Sequence, residues 1–208
     1  MSTAPEQSAA SASSDTSAIP SVGDDGGSLP VLADAVDVLT AWTAEDEAQE
    51  ALRLRYLDEL ARHGEDALLK GPRPVHLTAS LVVLGESLEH VLLTLHRKAR
   101  MWLQFGGHIE TGDATLVAAA LREGREESGL ALAGAEPVAV ELNAHRLGSG
   151  FTACREHLDV RFAVAVPREV PRVSEESLDV GWWPLDALPE PCGSDVPALL
   201  AHAVAALR

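Results

Sequence analysis

Residues 106–130 read GGHIETGDATLVAAALREGREESGL and combine a glycine-rich loop, a helix and a glycine stop. Asp113 is the predicted N-cap, because its carboxylate can accept hydrogen bonds from the free N–H groups of a first helical turn. Residues 114–127 carry helix formers and no proline. Gly129 stands where a helix can end with a positive φ. The stretch therefore predicts a loop that runs into a helix ending at Gly129.

Three glutamates dominate the second half of this helix. Glu123, Glu126 and Glu127 stand at positions i, i+3 and i+4, which places their carboxylates on one helix face. Like charges at this spacing destabilise a bare helix, and a bound cation would offset the repulsion. The donors are all oxygens, with no cysteine and no second histidine nearby, so Mg²⁺ or Mn²⁺ fits better than zinc. The alternative is a solvated acidic face, as in most runs of charge.

The same stretch resembles the Nudix box, the signature of the Nudix hydrolases. That box is a glycine, five residues, a glutamate, seven residues, Arg-Glu, an aliphatic residue, any residue, Glu-Glu, any residue, a glycine and an aliphatic residue. Its length makes it far more specific than a lone glycine motif. The matching residues are Gly107, Arg122, Glu123, Glu126, Glu127, Gly129 and Leu130.

Three features of the stretch depart from the box. Asp113 stands where the family has glutamate, and eight residues, 114–121, precede Arg122 instead of seven. Gly124 takes the aliphatic position of the box. Glycine there costs roughly 1 kcal/mol in helix propensity relative to alanine. It would allow the helix backbone to approach its neighbour closely. The stripe expected to pack on a sheet contains Val117, Leu121, Gly124 and Ser128.

The resemblance implies roles for residues in and beyond the box. Arg122 would orient a box carboxylate, although a surface i,i+4 pair with Glu126 is the alternative. The backbone carbonyl of Gly106 would be a metal ligand alongside the three glutamates. Many members of the family add a carboxylate from a late loop as ligand or base, and Glu175 and Glu176 are the candidates here. Either of these two could instead be solvated.

The remaining candidates for a functional role are histidines and one aspartate. His108 lies inside the glycine loop, close to where a phosphate would sit, so a substrate contact is predicted, with a loop-stabilising hydrogen bond as the alternative. Asp159 is a weaker candidate for chemistry, because alternation places it opposite the apolar face of its strand. The histidines expected to be structural residues at strand ends are His76, His96, His145 and His157.

Composition limits the classes of partner. The chain has 208 residues and a formal net charge of -16, which makes it a poor binder of nucleic acid or of an anionic membrane. A phosphate substrate would therefore need metal ions and a few placed arginines. The two cysteines, Cys154 and Cys192, form no C-x-x-C motif, which indicates a reducing compartment. Without a signal peptide or an apolar run of membrane-spanning length, we expect a cytoplasmic protein.

The chain divides into three parts. Residues 1–29 have almost no large apolar side chain and are predicted to be a disordered tail. Residues 30–70 form an N-terminal helical segment, and residues 71–208 form the domain that resembles Nudix. The oligomeric state stays open, a homodimer included.

Periodicity places the helices and strands. One helix is expected over 31–42 with Leu32, Val36 and Leu39 on one side. A second follows over 44–63 after a capping box that runs from Thr43 to Asp46. It should bury Ala48, Leu52, Tyr56 and Leu60. Strands are expected over 76–84, 90–96, 101–105, 136–146, 157–166 and 179–183, with a turn at 148–150 and a final helix over 196–207 capped by Ser194 or Asp195.

This order of elements predicts an α/β protein with a mixed sheet covered by helices. The resemblance implies the Nudix α/β/α sandwich, with the N-terminal helical segment as an addition to it.

The leading functional hypothesis is a Mg²⁺-dependent hydrolase of a nucleoside diphosphate linked to another moiety. Ions held by the three glutamates would neutralise the pyrophosphate and lower the pKa of a bound water. Glu123 or a late-loop glutamate such as Glu176 would take the proton of that water. The sequence does not choose among ADP-ribose, a nucleotide sugar, a dinucleoside polyphosphate and an oxidised nucleoside triphosphate.

Two other hypotheses keep the fold and drop the hydrolysis. An isomerase of isopentenyl diphosphate type needs a cysteine and a glutamate facing the substrate carbon, and neither Cys154 nor Cys192 lies in a matching motif. A nucleotide-sensing module often loses box carboxylates or gains a basic DNA-binding domain. This chain keeps all three glutamates and has no basic domain, so the enzyme hypothesis is preferred.

Overall fold

The computed structural model describes residues 28–147, 154–175 and 177–208. Most of the predicted tail, the predicted turn at 148–150 and Glu176 lie outside this part of the chain. Leu29, which the tail prediction included, donates its backbone N–H to Glu65 Oε1 at 2.6 Å and packs against the core.

The described chain contains helices and strands in the expected order. The helices are α1 (Pro30–Ala41), α2 (Glu47–His63), a 3₁₀ turn (Gly64–Ala67), α3 (Leu116–Ser128) and α4 (Val196–Ala206). The strands are β1 (Val75–Gly85), β2 (His90–His96), β3 (Trp102–Leu103), β4 (Phe105–His108), β5 (Val138–Arg146), β6 (Glu156–Val166) and β7 (Ser177–Pro184).

The strands form one seven-stranded mixed sheet. Its main order is β3-β2-β1-β6-β5, while β4 pairs with β1 and β7 pairs with β2. The central strands β1 and β6 run parallel, from Val75 opposite Glu156 to Gly85 opposite Val166. The other pairings between these strands are antiparallel. The prediction of a mixed sheet is confirmed.

Helices cover both faces of this sheet. On one face, α1, α2 and α3 pack on apolar residues of the central strands, such as Leu81 of β1 and Phe162 of β6. On the opposite face, α4 packs on a second cluster that includes Val82 and Ala163, the next residues along the same strands. Because successive side chains of a strand point to opposite faces, β1 is apolar on both sides near its end. The α/β/α sandwich is confirmed.

The apolar face of α1 differs from the prediction. The helix buries Val31, Ala35 and Leu39, which repeat at intervals of four residues. Val36 is 37% exposed, so its predicted place on the buried side is wrong. Leu32 is only partly buried at the edge of the core. The buried side of the helix is therefore the face of Val31, Ala35 and Leu39, and Val36, one position further on, is turned about 100° away from Ala35.

The start of α2 also differs from the prediction. Asp46 itself is the N-cap, and its Oδ1 accepts from the backbone N–H of Gln49 at 2.8 Å. A capping box beginning at Thr43 is therefore wrong. Tyr56 and Leu60 are buried as expected, whereas Ala48 is exposed because the helix begins at Glu47 and its first turn lies clear of the core.

The N-terminal helices contact the elements that carry the predicted site. Asp34 Oδ2 of α1 accepts from the backbone N–H of Leu116, the first residue of α3, at 2.7 Å. The Gln49 side chain of α2 both donates to and accepts from the backbone of Leu142 in β5, at 3.0 and 2.9 Å. It thereby satisfies polar groups of an edge strand. Among the described residues, no helix combines the length and the apolar character needed to cross a membrane.

Candidate active site

The glycine-rich loop begins in β4, which pairs with the polar part of β1. Gly106 has a φ of +156°, and a Cβ placed on it would lie 2.8 Å from the Cα of Ser80. Only glycine fits this close approach of two strands. At the other end of the unit, Gly129 has a φ of +69° and ends α3 in the left-handed conformation, as predicted.

The link between the loop and α3 depends on Asp113 in an unexpected way. Thr115 caps the helix, with its side chain accepting from the N–H of Ala118 at 2.9 Å, so the prediction of Asp113 as N-cap is wrong. Asp113 Oδ2 instead accepts from the backbone N–H of Glu110 at 2.8 Å. Both Asp113 oxygens also accept from Arg122, at 3.0 and 3.2 Å. The aspartate thus joins loop and helix despite the extra residue before Arg122.

Arg122 occupies the centre of the loop–helix unit. Its Nη1 donates to Glu123 Oε1 at 2.8 Å and to Glu126 Oε2 at 3.3 Å, and its Nη2 donates to the carbonyl of His108 at 2.8 Å. Partial burial would lower the pKa of Arg122, but the hydrogen bonds to Asp113 and Glu123 outweigh it, so the pKa is raised. An orienting role requires contacts of this kind, and the role itself stays a prediction.

The three glutamates of α3 differ in exposure. The Glu123 side chain is 13% exposed and lies against the loop, because a Cβ on Gly107 would be 2.5 Å from Glu123 Oε1. The Glu126 side chain is 60% exposed, whereas Glu127 is 4% exposed. All three line one cleft. These oxygen donors fit a hard divalent cation such as Mg²⁺ or Mn²⁺.

The cleft has a volume of about 1320 Å³, which is large enough for a nucleotide derivative. Its wall includes the glycine loop, the glutamate face of α3 and the polar halves of β1 and β6. Lys70 and Lys98 also line it, so positive charge is present in an otherwise acidic protein. The predicted metal ligand Gly106 and the predicted substrate contact His108 line the same space.

Asp159 holds a buried polar network at the floor of the cleft. Its carboxylate accepts from the hydroxyls of Thr78 and Ser80, at 2.8 and 2.6 Å, and from Arg161 Nε at 3.1 Å. Arg161 also contacts carboxylates of Glu141 and of Asp195. Burial would lower the pKa of Arg161, but the carboxylates of Asp159, Asp195 and Glu141 together outweigh it and the pKa is raised. Asp159 lies opposite the apolar face of β6, as alternation predicted.

The Asp195 contact explains a third capping error. Asp195 stands at the N-cap position of α4, but its side chain forms no capping hydrogen bond. Its carboxylate is bound to Arg161 instead, so its predicted capping role is wrong.

The late-loop glutamates are only partly described. Glu175 is exposed, and its backbone carbonyl accepts from Arg97 Nε at 3.0 Å. Glu176 lies outside the described residues. The predicted role of Glu176 as a late carboxylate therefore stays a prediction.

The histidines form a cluster that the sequence analysis missed. The His108 ring is 5.2 Å from that of His76 and 5.0 Å from that of His157, measured between centroids, and His145 lies 5.4 Å from His157. Cys154 Sγ is 3.8 Å from His108 Nε2. His76 and His157 each lie in an apolar run that predicted a strand, but that pattern does not specify the pairing of β1 with β6 that brings them together.

Burial governs the protonation of this cluster. It lowers the pKa of His157 to about 3 and that of His108 to about 4, and it also lowers the pKa of His76. All three rings are therefore neutral at pH 7.

Gly107→Ala should disable the site without disrupting the fold. The added Cβ would overlap the carboxylate of Glu123 and push it away from the loop. A displacement of about an ångström can reduce turnover roughly 100-fold, so a loss of that order in kcat is expected. Gly112→Ala is the matched control, because nothing lies within 4 Å of its Cβ position. Equal turnover in the two variants would contradict the placement of Glu123.

Comparison with known proteins identifies the family. The NUDIX domain family matches residues 74–202, which is more than half of the chain. The chain therefore belongs to the Nudix hydrolase family, and the resemblance seen in the box is confirmed. None of the curated proteins compared with the chain matches it.

Solved structures share the fold at low identity. The E. coli dihydroneopterin triphosphate pyrophosphohydrolase is 21% identical with a TM-score of 0.54, over 67% of this chain and 99% of that one. A C. elegans Ap4A hydrolase is 20% identical with a TM-score of 0.52, over 63% and 96% of the two chains. The NUDIX domain of Shewanella oneidensis NrtR, solved with ADP ribose, is 23% identical with a TM-score of 0.52, over 64% of this chain and 88% of that one.

Proposed function

We propose that this chain is a Mg²⁺- or Mn²⁺-dependent cytoplasmic hydrolase that cleaves the pyrophosphate bond of a nucleoside diphosphate linked to another moiety. The observation that carries the proposal is the face formed by Glu123, Glu126 and Glu127, which opens onto a cleft of nucleotide size. The solved structures named above include proteins whose names refer to a nucleotide or a pterin triphosphate, which supports the substrate class.

One group of residues would bind the cation and position its ligands. Glu123, Glu126, Glu127 and the carbonyl of Gly106 would hold the cation, which when bound supplies positive charge to the pyrophosphate and acidifies water. Arg122 fixes Glu123 from one side, while the backbone of Gly107 packs against it from the other.

Proton transfer and substrate attraction fall to other groups. Glu123 or Glu176 would accept the proton of the attacking water. Lys70 and Lys98 would attract the anionic substrate to the cleft. His108 would contact a phosphate through its other ring nitrogen, Nδ1, because its Nε2 faces Cys154.

A screen of product release tests this proposal. The purified full chain would be incubated with Mg²⁺ and ADP-ribose, a nucleotide sugar, a dinucleoside polyphosphate or an oxidised nucleoside triphosphate, and the products separated by chromatography. At least one compound should yield two phosphate-bearing products. Glu127→Gln is the control, because it removes one ligand charge from the same cleft. If the wild type binds one of these compounds but releases product no faster than Glu127→Gln does, the result would instead support a nucleotide-sensing module.

A further inference from the structure

Four side chains beside the cleft have the composition of a transition-metal site: His108, Cys154 and His157 line the cleft, and His76 is fully buried. The parallel register places His76 of β1 opposite His157 of β6, and the antiparallel register places Thr78 opposite His108 of β4. Because residues two apart on a strand share a face, the three imidazoles meet on one side of the sheet. The chain that leads into β6 brings Cys154 to the same place. One donor atom from each of the four lies within 4.8 Å of the others.

One ring nitrogen of His76, Nε2, is available as a metal ligand. Its Nδ1 lies 3.1 Å from the carbonyl oxygen of Arg73, and since a carbonyl only accepts, Nδ1 carries the proton. The lone pair is therefore on Nε2. His76 is fully buried, and no described residue forms a hydrogen bond with this atom. The Nε2 atom of His157 is buried in the same way. Buried polar atoms without partners are costly, and a cation would satisfy both.

We propose that His76, His108, Cys154 and His157 bind a Zn²⁺ ion through three nitrogens and one thiolate. Nitrogen and sulfur donors suit zinc, whereas the oxygen donors on α3 suit Mg²⁺, so the cleft carries two sites of different chemistry. Bond lengths of about 2.0 Å for Zn–N and about 2.3 Å for Zn–S put tetrahedral ligand atoms roughly 3.3–3.7 Å apart. Small side-chain movements would bring the four donors to these separations.

The surroundings match the requirements of such a site. The hydrogen bond from His76 Nδ1 to the Arg73 carbonyl is the kind of outer contact that orients a metal-bound imidazole. The Cys154 thiol would release its proton to solvent as the metal–sulfur bond forms. Four protein ligands fill a tetrahedral zinc, so the ion is structural. It joins the end of the glycine loop to the start of β6.

Cobalt substitution gives a test that does not depend on turnover. The full chain, without an affinity tag and stripped of metal, would be titrated with Co²⁺ and followed by absorption spectroscopy. One equivalent should produce the visible bands of tetrahedral cobalt and a near-ultraviolet charge-transfer band from the thiolate. Zn²⁺ should displace the cobalt and should also raise the melting temperature of the metal-free protein.

Two substitutions and two controls assign the ligands. Cys154→Ser should abolish the charge-transfer band, because the thiolate is its source. His157→Gln keeps the thiolate, so the band should remain, with an intensity reduced in proportion to the smaller amount of Co²⁺ bound. Because loss of an outer contact alone costs 10- to 100-fold in affinity, each variant should bind Zn²⁺ roughly 100-fold more weakly or worse. Cys192→Ser, which changes the other free cysteine, should leave the spectrum unchanged. So should Glu126→Gln, which alters only the carboxylate face.

Several outcomes would contradict the proposed zinc site. Absence of the tetrahedral and charge-transfer bands in the wild type would do so, even if Co²⁺ binds at the carboxylate face. A charge-transfer band that survives in Cys154→Ser, or one that disappears in Cys192→Ser, would also exclude the proposed ligands. Because none of these readouts requires hydrolysis, failure here leaves the proposed enzyme activity untouched, and failure of the activity screen leaves this site untouched.

Discussion

Glu126→Gln and Glu127→Gln should each reduce kcat by orders of magnitude while the protein stays folded. Each substitution removes one ligand charge and preserves shape and helix propensity. If the ions act mainly in the transition state, a loss of about 100-fold or more corresponds to about 2.7 kcal/mol of lost stabilisation. Glu136→Gln is the control, because that glutamate is exposed, lies outside α3 and is not among the residues that line the cleft. Steady-state kinetics with Mg²⁺ measures the effect.

The same variants separate a metal site from a solvated acidic face. Removing a charge from a repelling cluster should leave the metal-free protein as stable as before or slightly more stable. Added Mg²⁺ should then raise the melting temperature of the wild type more than that of either variant, because only a bound ligand stabilises by mass action. Wild-type turnover in both variants would assign these carboxylates to a solvated face.

Arg122→Lys should cost both stability and turnover. Lysine keeps the charge, but it cannot reproduce the fork that joins Asp113, Glu123 and the carbonyl of His108. Asp113 is only 6% exposed, so a weakened partner leaves a nearly buried carboxylate poorly compensated. The expected loss in the free energy of unfolding is about 2 kcal/mol, measured by urea denaturation. With Glu123 no longer fixed, kcat should fall about 10-fold or more.

The matched control for this substitution is one turn away. Arg125→Lys changes the same residue type on the same helix, where the side chain is exposed and donates to the carbonyl of Ala131. It should alter stability and kcat little. If Arg122→Lys behaves like Arg125→Lys, the guanidinium contributes only a surface pair with Glu126, which was the alternative interpretation of the sequence.

Local patterns explain which parts of the fold could be predicted. β2 has the predicted bounds, and α3 ends at Gly129 as predicted, because alternation and a glycine stop act over a few residues. The expected strand over 101–105 instead divides at Gln104 into β3 and β4, which pair with different neighbours. Asp113 was assigned to the wrong task because Arg122, nine residues later, competes for its carboxylate.

In the site, too, local patterns could be predicted from the sequence, and contacts between distant residues could not. The glutamate face follows from helical spacing, so it could be predicted from a dozen residues. The histidine–cysteine cluster depends on β1 and β6 lying side by side in parallel, although His76 and His157 are 81 positions apart in the sequence. Each histidine alone indicated only a strand end. Their convergence follows from strand pairing, which sequence periodicity does not specify.

Metal dependence tests the central claim most directly. The purified chain would be freed of metal with EDTA, and turnover of a substrate from the screen measured before and after adding back Mg²⁺ or Mn²⁺ separately. Turnover should vanish without metal and return with Mg²⁺ or Mn²⁺, because the cation held by the glutamates supplies the charge that acts on the pyrophosphate and on water. Full turnover in the metal-free protein would contradict the assignment of the box glutamates as the centre of the active site.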